Sequence, residues 1–300
     1  MRLGMGRGSI LLKNLNRKIK IGTCAWSFDD WRGNFYPEKL PQNQWLAWYA
    51  RALPAVEIDS TFYATPSPQT IGHWLDATPD DFYFTCKMPR EITHERRLRD
   101  CGEPLRAFLD GIAPLRAKLG PILIQLPPTF TPPHDEAALK DFLFNLPRDF
   151  SFAVEFRDPA WHLPRIVKLF EEERICWVWA DTSPLAEQNR APFEFLPQTA
   201  DCLYVRLLGD LRTRSRSDGG SEHRYGKLMW PRDSALESWA IKIEKHLADT
   251  GCVYIYANNH YEGFSPLTCQ RIAKRFRIDI TLPEPELPVE ESAGAQLDLL

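Results

Sequence analysis

The sequence predicts an α/β fold: a single (β/α)8 TIM barrel followed by a disordered C-terminal tail. Three observations carry that reading. Eight short apolar runs are rich in Val, Ile, Phe, Tyr and Trp, side chains that pack well on a pleated surface. Amphipathic helical patterns lie between the runs, and strand–helix alternation makes successive strands parallel. The chain has 300 residues, within the span of one barrel.

The predicted strands are Lys20–Cys24, Ala55–Ser60, Phe82–Lys87, Ile122–Leu126, Phe152–Phe156, Cys176–Ala180, Leu203–Leu208 and Val253–Ala257. The predicted helices are Gln42–Leu53, Pro68–Ala77, Glu103–Leu119, Asp135–Leu146, Leu163–Glu173, Ser234–Ala248 and Pro266–Arg275. In the first of these, Trp45, Trp48 and Tyr49 recur at spacings that put them on one face. An open doubly wound sheet is the competing architecture. It would carry a glycine-rich phosphate loop after its first strand, where this chain reads Ile21-Gly22-Thr23-Cys24-Ala25-Trp26.

Residues 1–18 read as a loose basic arm, 19–280 as the barrel and 281–300 as a disordered acidic tail. The apolar run Ile10-Leu11-Leu12 is too short for a signal-peptide core. No run approaches the roughly 18 apolar residues that span a membrane, so no membrane partner is expected. The seven cysteines are scattered without a C-x-x-C pair, which argues against a zinc or iron–sulfur framework and fits a reduced, cytoplasmic protein. A net charge of -3 argues against a broad basic surface for non-specific nucleic-acid binding. Two long connections, Thr182–Asp201 and Asp210–Arg232, leave strand C-termini, where barrels build their sites. The second carries Arg212, Arg214, Arg216, Gly219 and Gly220, and reads either as a surface loop or as a flap over an anionic substrate.

Side chains alternate along a strand, so one parity faces the barrel interior. That parity carries Glu57 and Asp59, Thr85 and Lys87, Gln125, Glu155 and Arg157, Tyr204 and Arg206, and Tyr254, Tyr256 and Asn258. The sixth strand runs through Trp177 and Trp179 to Asp181. Burying charge is costly unless it is paired or solvated, so charge gathered at one end of several strands marks a site. The catalytic candidates are Glu57, Lys87, Glu155 and His260. The substrate-binding candidates are Asp59, Tyr63, His94, Gln125, Arg157, Trp161, Asp181, Arg206, Asn258 and Asn259.

Several chemistries use these types. The carboxylates suit acid–base work on a sugar or a hard cation. Lys87 suits a Schiff base or an anion anchor, and Arg157 and Arg206 suit phosphate or carboxylate. His94, His162 and His260 follow strands and are candidate bases. Trp161 and Tyr63 are candidate stacking platforms. The bland alternative is an internal salt-bridge network of Glu57, Lys87, Glu155, Arg157 and Arg206. No H-x-x-x-H pair or Ser–His–Asp elbow is present, and neither metal nor cofactor is specified. The resulting expectation is a hydrolase or lyase for a small polar, sugar- or phosphate-containing substrate.

The runs Val56-Glu57-Ile58-Asp59-Ser60-Thr61-Phe62-Tyr63, Phe84-Thr85-Cys86-Lys87-Met88-Pro89 with Ile92-Thr93-His94, and Ala153-Val154-Glu155-Phe156-Arg157 with Trp161 resemble the YecE-like proteins (domain of unknown function 72). So do Ile21–Trp26, Tyr204–Gly209 and Tyr256–Tyr261, and the likeness covers roughly residues 19 to 278 in the family's order. It implies a TIM barrel and brings no reaction with it. It also implies an asparagine where this chain has Asp59, which puts a charge at that position.

The last residues, Gln296-Leu297-Asp298-Leu299-Leu300, resemble the pentapeptide with which bacterial replication and repair proteins bind the sliding clamp. Such a peptide seats its glutamine in a polar pocket and its apolar residues Leu297, Leu299 and Leu300 in a groove. The alternative function is therefore a ligand- or nucleic-acid-binding adaptor recruited to DNA replication or repair.

Overall fold

The computed structural model describes residues 18–182, 195–209 and 225–283. Its strands are β1 (Ile19–Cys24), β2 (Ala55–Ile58), β3 (Tyr83–Cys86), β4 (Ile122–Gln125), β5 (Phe152–Glu155), β6 (Cys176–Thr182), β7 (Cys202–Gly209) and β8 (Cys252–Ala257). All paired neighbours are parallel, in the order β3-β2-β1-β8-β7-β6-β5-β4. The two ends of that order meet. Gly120 N donates to Phe84 O and Met88 N to Leu123 O, each at 2.8 Å, which joins β3 to β4 and closes the barrel.

The described helices are α1 (Trp45–Tyr49), α2 (Pro68–Asp76), α3 (Gly102–Ile112), α4 (Pro132–Phe144), α5 (Pro164–Glu173), α6 (Asp233–Glu244), α7 (Asn259–Glu262) and α8 (Ser265–Arg275). Their ends follow proline chemistry. Prolines open α2, α4 and α5, where the missing N–H is no loss. The sequence predicts one helix over Glu103–Leu119. The structure instead ends α3 at Ile112 and continues as a 3-10 segment, Ala113–Lys118, with Pro114 at its start. Among the described residues, no helix is long and apolar enough to cross a membrane.

Two hydrophobic layers result. Val56, Ile124, Val154, Val205 and Ile255 face the helices, while Ala55, Leu123, Ala153, Tyr204, Tyr254 and Tyr256 form a second cluster inside the barrel. In β6 the interior residues are Cys176, Val178 and Ala180, whereas Trp177 and Trp179 pack outward. Close approach explains one glycine: a Cβ on Gly22 would stand 1.8 Å from Ala55 O in the neighbouring strand. Lys18 is the described end of the predicted arm, and most of the predicted tail lies outside the described residues.

Candidate functional site

Parity delivers charged groups to the C-terminal end of the barrel. Arg206, on β7, is 2% exposed and reaches across the interior. Its Nη1 donates to Glu155 Oε2 at 2.5 Å and its Nη2 to Glu57 Oε1 at 2.6 Å. Tyr204, two residues earlier on the same strand, donates its hydroxyl to Glu57 Oε2 at 2.6 Å. Arg157, just past β5, pairs through Nε with the other oxygen of Glu155. Glu57 thus accepts two hydrogen bonds and Glu155 one hydrogen bond beside an ion pair, and such pairing makes buried charge tolerable.

These contacts fix protonation. Burial alone pushes the Glu155 carboxyl up, but the guanidinium charges of Arg157 and Arg206 outweigh it and hold the carboxyl below its ordinary value. Burial likewise disfavours the Arg206 cation, and Glu57 and Glu155 more than reverse that. Burial and the Glu57 charge raise the Tyr204 hydroxyl well above its usual range, so it stays a donor. Glu155 is therefore a fixed anion. The salt-bridge network weighed from the sequence exists, with Glu57, Glu155, Arg157 and Arg206 as its members.

Lys87 belongs to an outer tier. Its Nζ lies 3.5 Å from Asp59 Oδ1 and 4.5 Å above the centre of the Phe62 ring, and it makes no hydrogen bond among the described residues. Asp59 Oδ1 is also 4.0 Å from Arg206 Nη2, which links the two tiers. The backbones beneath are locked together by Thr61. Its Oγ1 accepts the Lys87 N–H at 2.9 Å and lies 2.8 Å from both Ile58 O and Lys87 O. Thr61 and Tyr204 are site-building residues that sequence reasoning left without a role. Their signal is only the alternation and the turn after β2.

His94 follows β3 in a π-helical turn, Glu91–Glu95, and meets the Phe62 ring edge-on at 4.9 Å between centroids. Desolvation, followed by the positive charges of Lys87, Arg90 and Arg157, lowers it to about 4 from its usual 6.5. Its Nδ1 is 2.9 Å from Thr93 Oγ1, and that hydroxyl lies 3.1 Å from Pro89 O. With the Thr93 proton on the carbonyl, the hydroxyl oxygen accepts from Nδ1–H and the Nε2 lone pair is left open. Gln125 is the in-register neighbour of Glu155 and completes the wall on β4.

Other candidates have different surroundings. Asp181 does not face the mouth. It is buried among the helices, accepting from Trp239 Nε1 and Tyr261 OH at 2.8 Å each, because β6 turns its odd-numbered residues outward and bulges at Asp181/Thr182. Trp161 is not a stacking platform. It is fully buried between Phe130 and Phe156 and donates its indole N–H to Phe130 O. Asn259 Oδ1 accepts from both Ser265 N and Ser265 Oγ, while its Nδ2 is buried without a hydrogen bond among the described residues. Asn258 caps α7 by accepting from His260 N, and His260 is buried against the Tyr225 hydroxyl, 3.1 Å from Nδ1. His162 packs on Trp177 and Phe195 in the outer layer. Tyr63 is 79% exposed beside Phe62. The arginines of the predicted flap and the candidate clamp peptide, Gln296, Leu297, Leu299 and Leu300, lie outside the described residues. Among the described residues, no three His, Cys, Asp or Glu side chains are grouped to hold a metal ion.

The family model described as protein of unknown function DUF72 matches residues 20–291, and the chain belongs to that family. The UPF0759 protein YecE of Escherichia coli K12 is 40% identical over 143 residues, 48% of this chain, and the match spans only half (50%) of that relative's length. The UPF0759 protein YunF of Bacillus subtilis is 24% identical over 260 residues, 82% of this chain and 90% of that one. A crystal structure of a DUF72 family protein from Thermotoga maritima superposes with a TM-score of 0.69 at 26% identity, covering 87% of this chain and 99% of that one.

Proposed function

We propose that this DUF72 barrel is an acid–base enzyme, a hydrolase or lyase, acting on a small anionic substrate held at the C-terminal mouth. One observation carries the reading: the Lys87 ammonium and the Arg157 Nη groups make no hydrogen bond among the described residues, yet both stand close enough to His94 to depress its basicity. Open cationic donors around a neutral imidazole call for an anion. Arg206, Glu57 and Glu155 form the frame beneath, since their charges are consumed by one another.

The catalytic logic follows from charge. The fixed anion Glu155 is a poor proton shuttle, whereas His94 is neutral at pH 7 with Nε2 open. A substrate anion on Lys87 and Arg157 cancels the charges that weaken His94, so base strength arrives with the substrate. Titration calorimetry with inorganic phosphate tests the anion site. Lys87→Gln and Arg157→Gln should each weaken binding by roughly tenfold or more, the worth of a charge-assisted hydrogen bond. Across a panel of phosphate esters, His94→Gln should abolish turnover and spare binding. Phosphate affinity unmoved by either charge removal would overturn the reading.

A further inference from the structure

A buried acceptor at the mouth has no donor. Asp59 Oδ1 is shielded from water, although the side chain as a whole is 35% exposed, and it makes no hydrogen bond. Lys87 Nζ at 3.5 Å and Arg206 Nη2 at 4.0 Å supply charge but stand beyond hydrogen-bond length. The two groups sit on a fixed backbone. Thr61 ties the Lys87 backbone to the turn that carries Asp59, and the Phe62 ring lies 4.5 Å beneath the ammonium. A buried carboxylate oxygen without a donor is costly, and such a group at a mouth commonly meets its partner in the ligand.

We infer that the substrate carries a hydroxyl close to its anionic group. The hydroxyl donates to the Asp59 carboxylate, whose side chain is 35% exposed, while the neighbouring anionic oxygen accepts from Lys87. One molecule then supplies a donor to the acid and an acceptor to the ammonium, two groups that stand 3.5 Å apart as an ion pair without a hydrogen bond between them. An α-hydroxy carboxylate and a hydroxylated phosphate ester share this chemistry. A plain carboxylate or an alkyl phosphate dianion lacks the donor and leaves Asp59 facing it as a like charge. The inference rests on the anion-site reading above and sharpens it to a substrate class, with Asp59 as the residue that selects.

Calorimetry on the full chain with two matched pairs tests it: glycolate against acetate, and glycerol 3-phosphate against propyl phosphate. In at least one pair the hydroxylated member should bind about tenfold tighter or more, the discrimination a site built for a hydroxyl provides. The pair that responds identifies the anion. Asp59→Ala should erase the preference, and Lys87→Gln should weaken both members. Asp59→Asn keeps an acceptor oxygen without the charge, so it should tighten both members and retain the preference, which separates the role from a folding defect. Equal binding of both members in both pairs, still dependent on Lys87, overturns this inference and leaves the anion site standing. No binding of any of the four probes overturns the inference, and the anion site falls with it where inorganic phosphate does not bind either.

Discussion

Replacing Arg206 with methionine removes the one cation that bridges two buried carboxylates while keeping much of the side-chain volume. Glu57 and Glu155 are both fully buried, at 2.6 and 2.5 Å from the guanidinium. Each ion pair is worth about 4 kcal/mol of Coulomb energy at an effective dielectric of ~20. Glu155 keeps Arg157 and Glu57 keeps the Tyr204 hydroxyl, so the net loss falls below the sum. Breaking a buried pair costs about 3–5 kcal/mol, a large part of the ~5–15 kcal/mol that holds a domain together. In urea, this should lower the unfolding midpoint by roughly 1–2 M with little change in slope. The triple change Arg206→Met, Glu57→Gln and Glu155→Gln removes the uncompensated charges and should recover at least half of the loss. Arg206→Lys keeps the charge but cannot fork between two carboxylates, so it should fall between wild type and methionine. A loss under about 1 kcal/mol for Arg206→Met, or a triple variant no more stable than the single one, would refute the view that this cation holds the barrel interior together.

Three further outcomes follow. By NMR, the His94 ring should titrate near 4 rather than 6.5 and move back up in Lys87→Gln. Between those two values the unfolded chain binds a proton that native His94 refuses, so stability should fall as pH drops across that window; a His94 midpoint near 6.5 in the wild type contradicts the charge environment described. Asp135 is buried and holds both Arg97 and Arg99, anchoring a segment in which Arg97, Leu98 and Asp100 have φ of 50°, 65° and 51°. Such backbone is strained in residues other than glycine, so Asp135→Ala should cost about 3–5 kcal/mol and speed amide exchange over residues 96–101, and unchanged exchange there would remove Asp135 from that role. The clamp resemblance of the tail rests on sequence alone: if the full chain binds a bacterial sliding clamp through it, a chain ending at Ala295 should lose that binding, and equal or absent binding in both counts against the clamp reading.

The fold was legible because two periodicities coexist, and the interior became legible wherever polarity alternated. β2 alternates Val56-Glu57-Ile58-Asp59, so its inward parity needs no structure to assign. β6 reads Cys176-Trp177-Val178-Trp179-Ala180, apolar at every position, so the acid that follows, Asp181, is the one polar cue to its parity. Asp181 then misled, since a carboxylate held by Trp239 and Tyr261 looks in sequence like one that lines a mouth. Trp161 misled for a related reason: an indole after a strand serves equally as a platform or as core. A charge network within the mouth was legible as an alternative, but not which carboxylate each cation takes. That pairing depends on Arg206 crossing the barrel to strands β2 and β5, contacts separated by 149 and 51 residues.

That pairing divides the site into two tiers with different duties. The six charges cancel in sum, with Glu57, Asp59 and Glu155 against Lys87, Arg157 and Arg206. Affinity for an anion therefore cannot come from net charge and must come from donors left unused. Arg206 spends both of its Nη groups on carboxylates, whereas Lys87 spends no hydrogen bond and Arg157 only its Nε contact. Depth enforces the division, because a cation at 2% exposure would be untenable without its partners, while the 12–14% exposed side chains of Lys87 and Arg157 keep partial hydration. Substitutions of Arg206 should therefore act on stability first, and those of Lys87 and Arg157 on binding with little loss of fold. An Arg206 variant that lost tenfold in phosphate affinity at unchanged urea midpoint would invert this order and move Arg206 from the frame to the ligand.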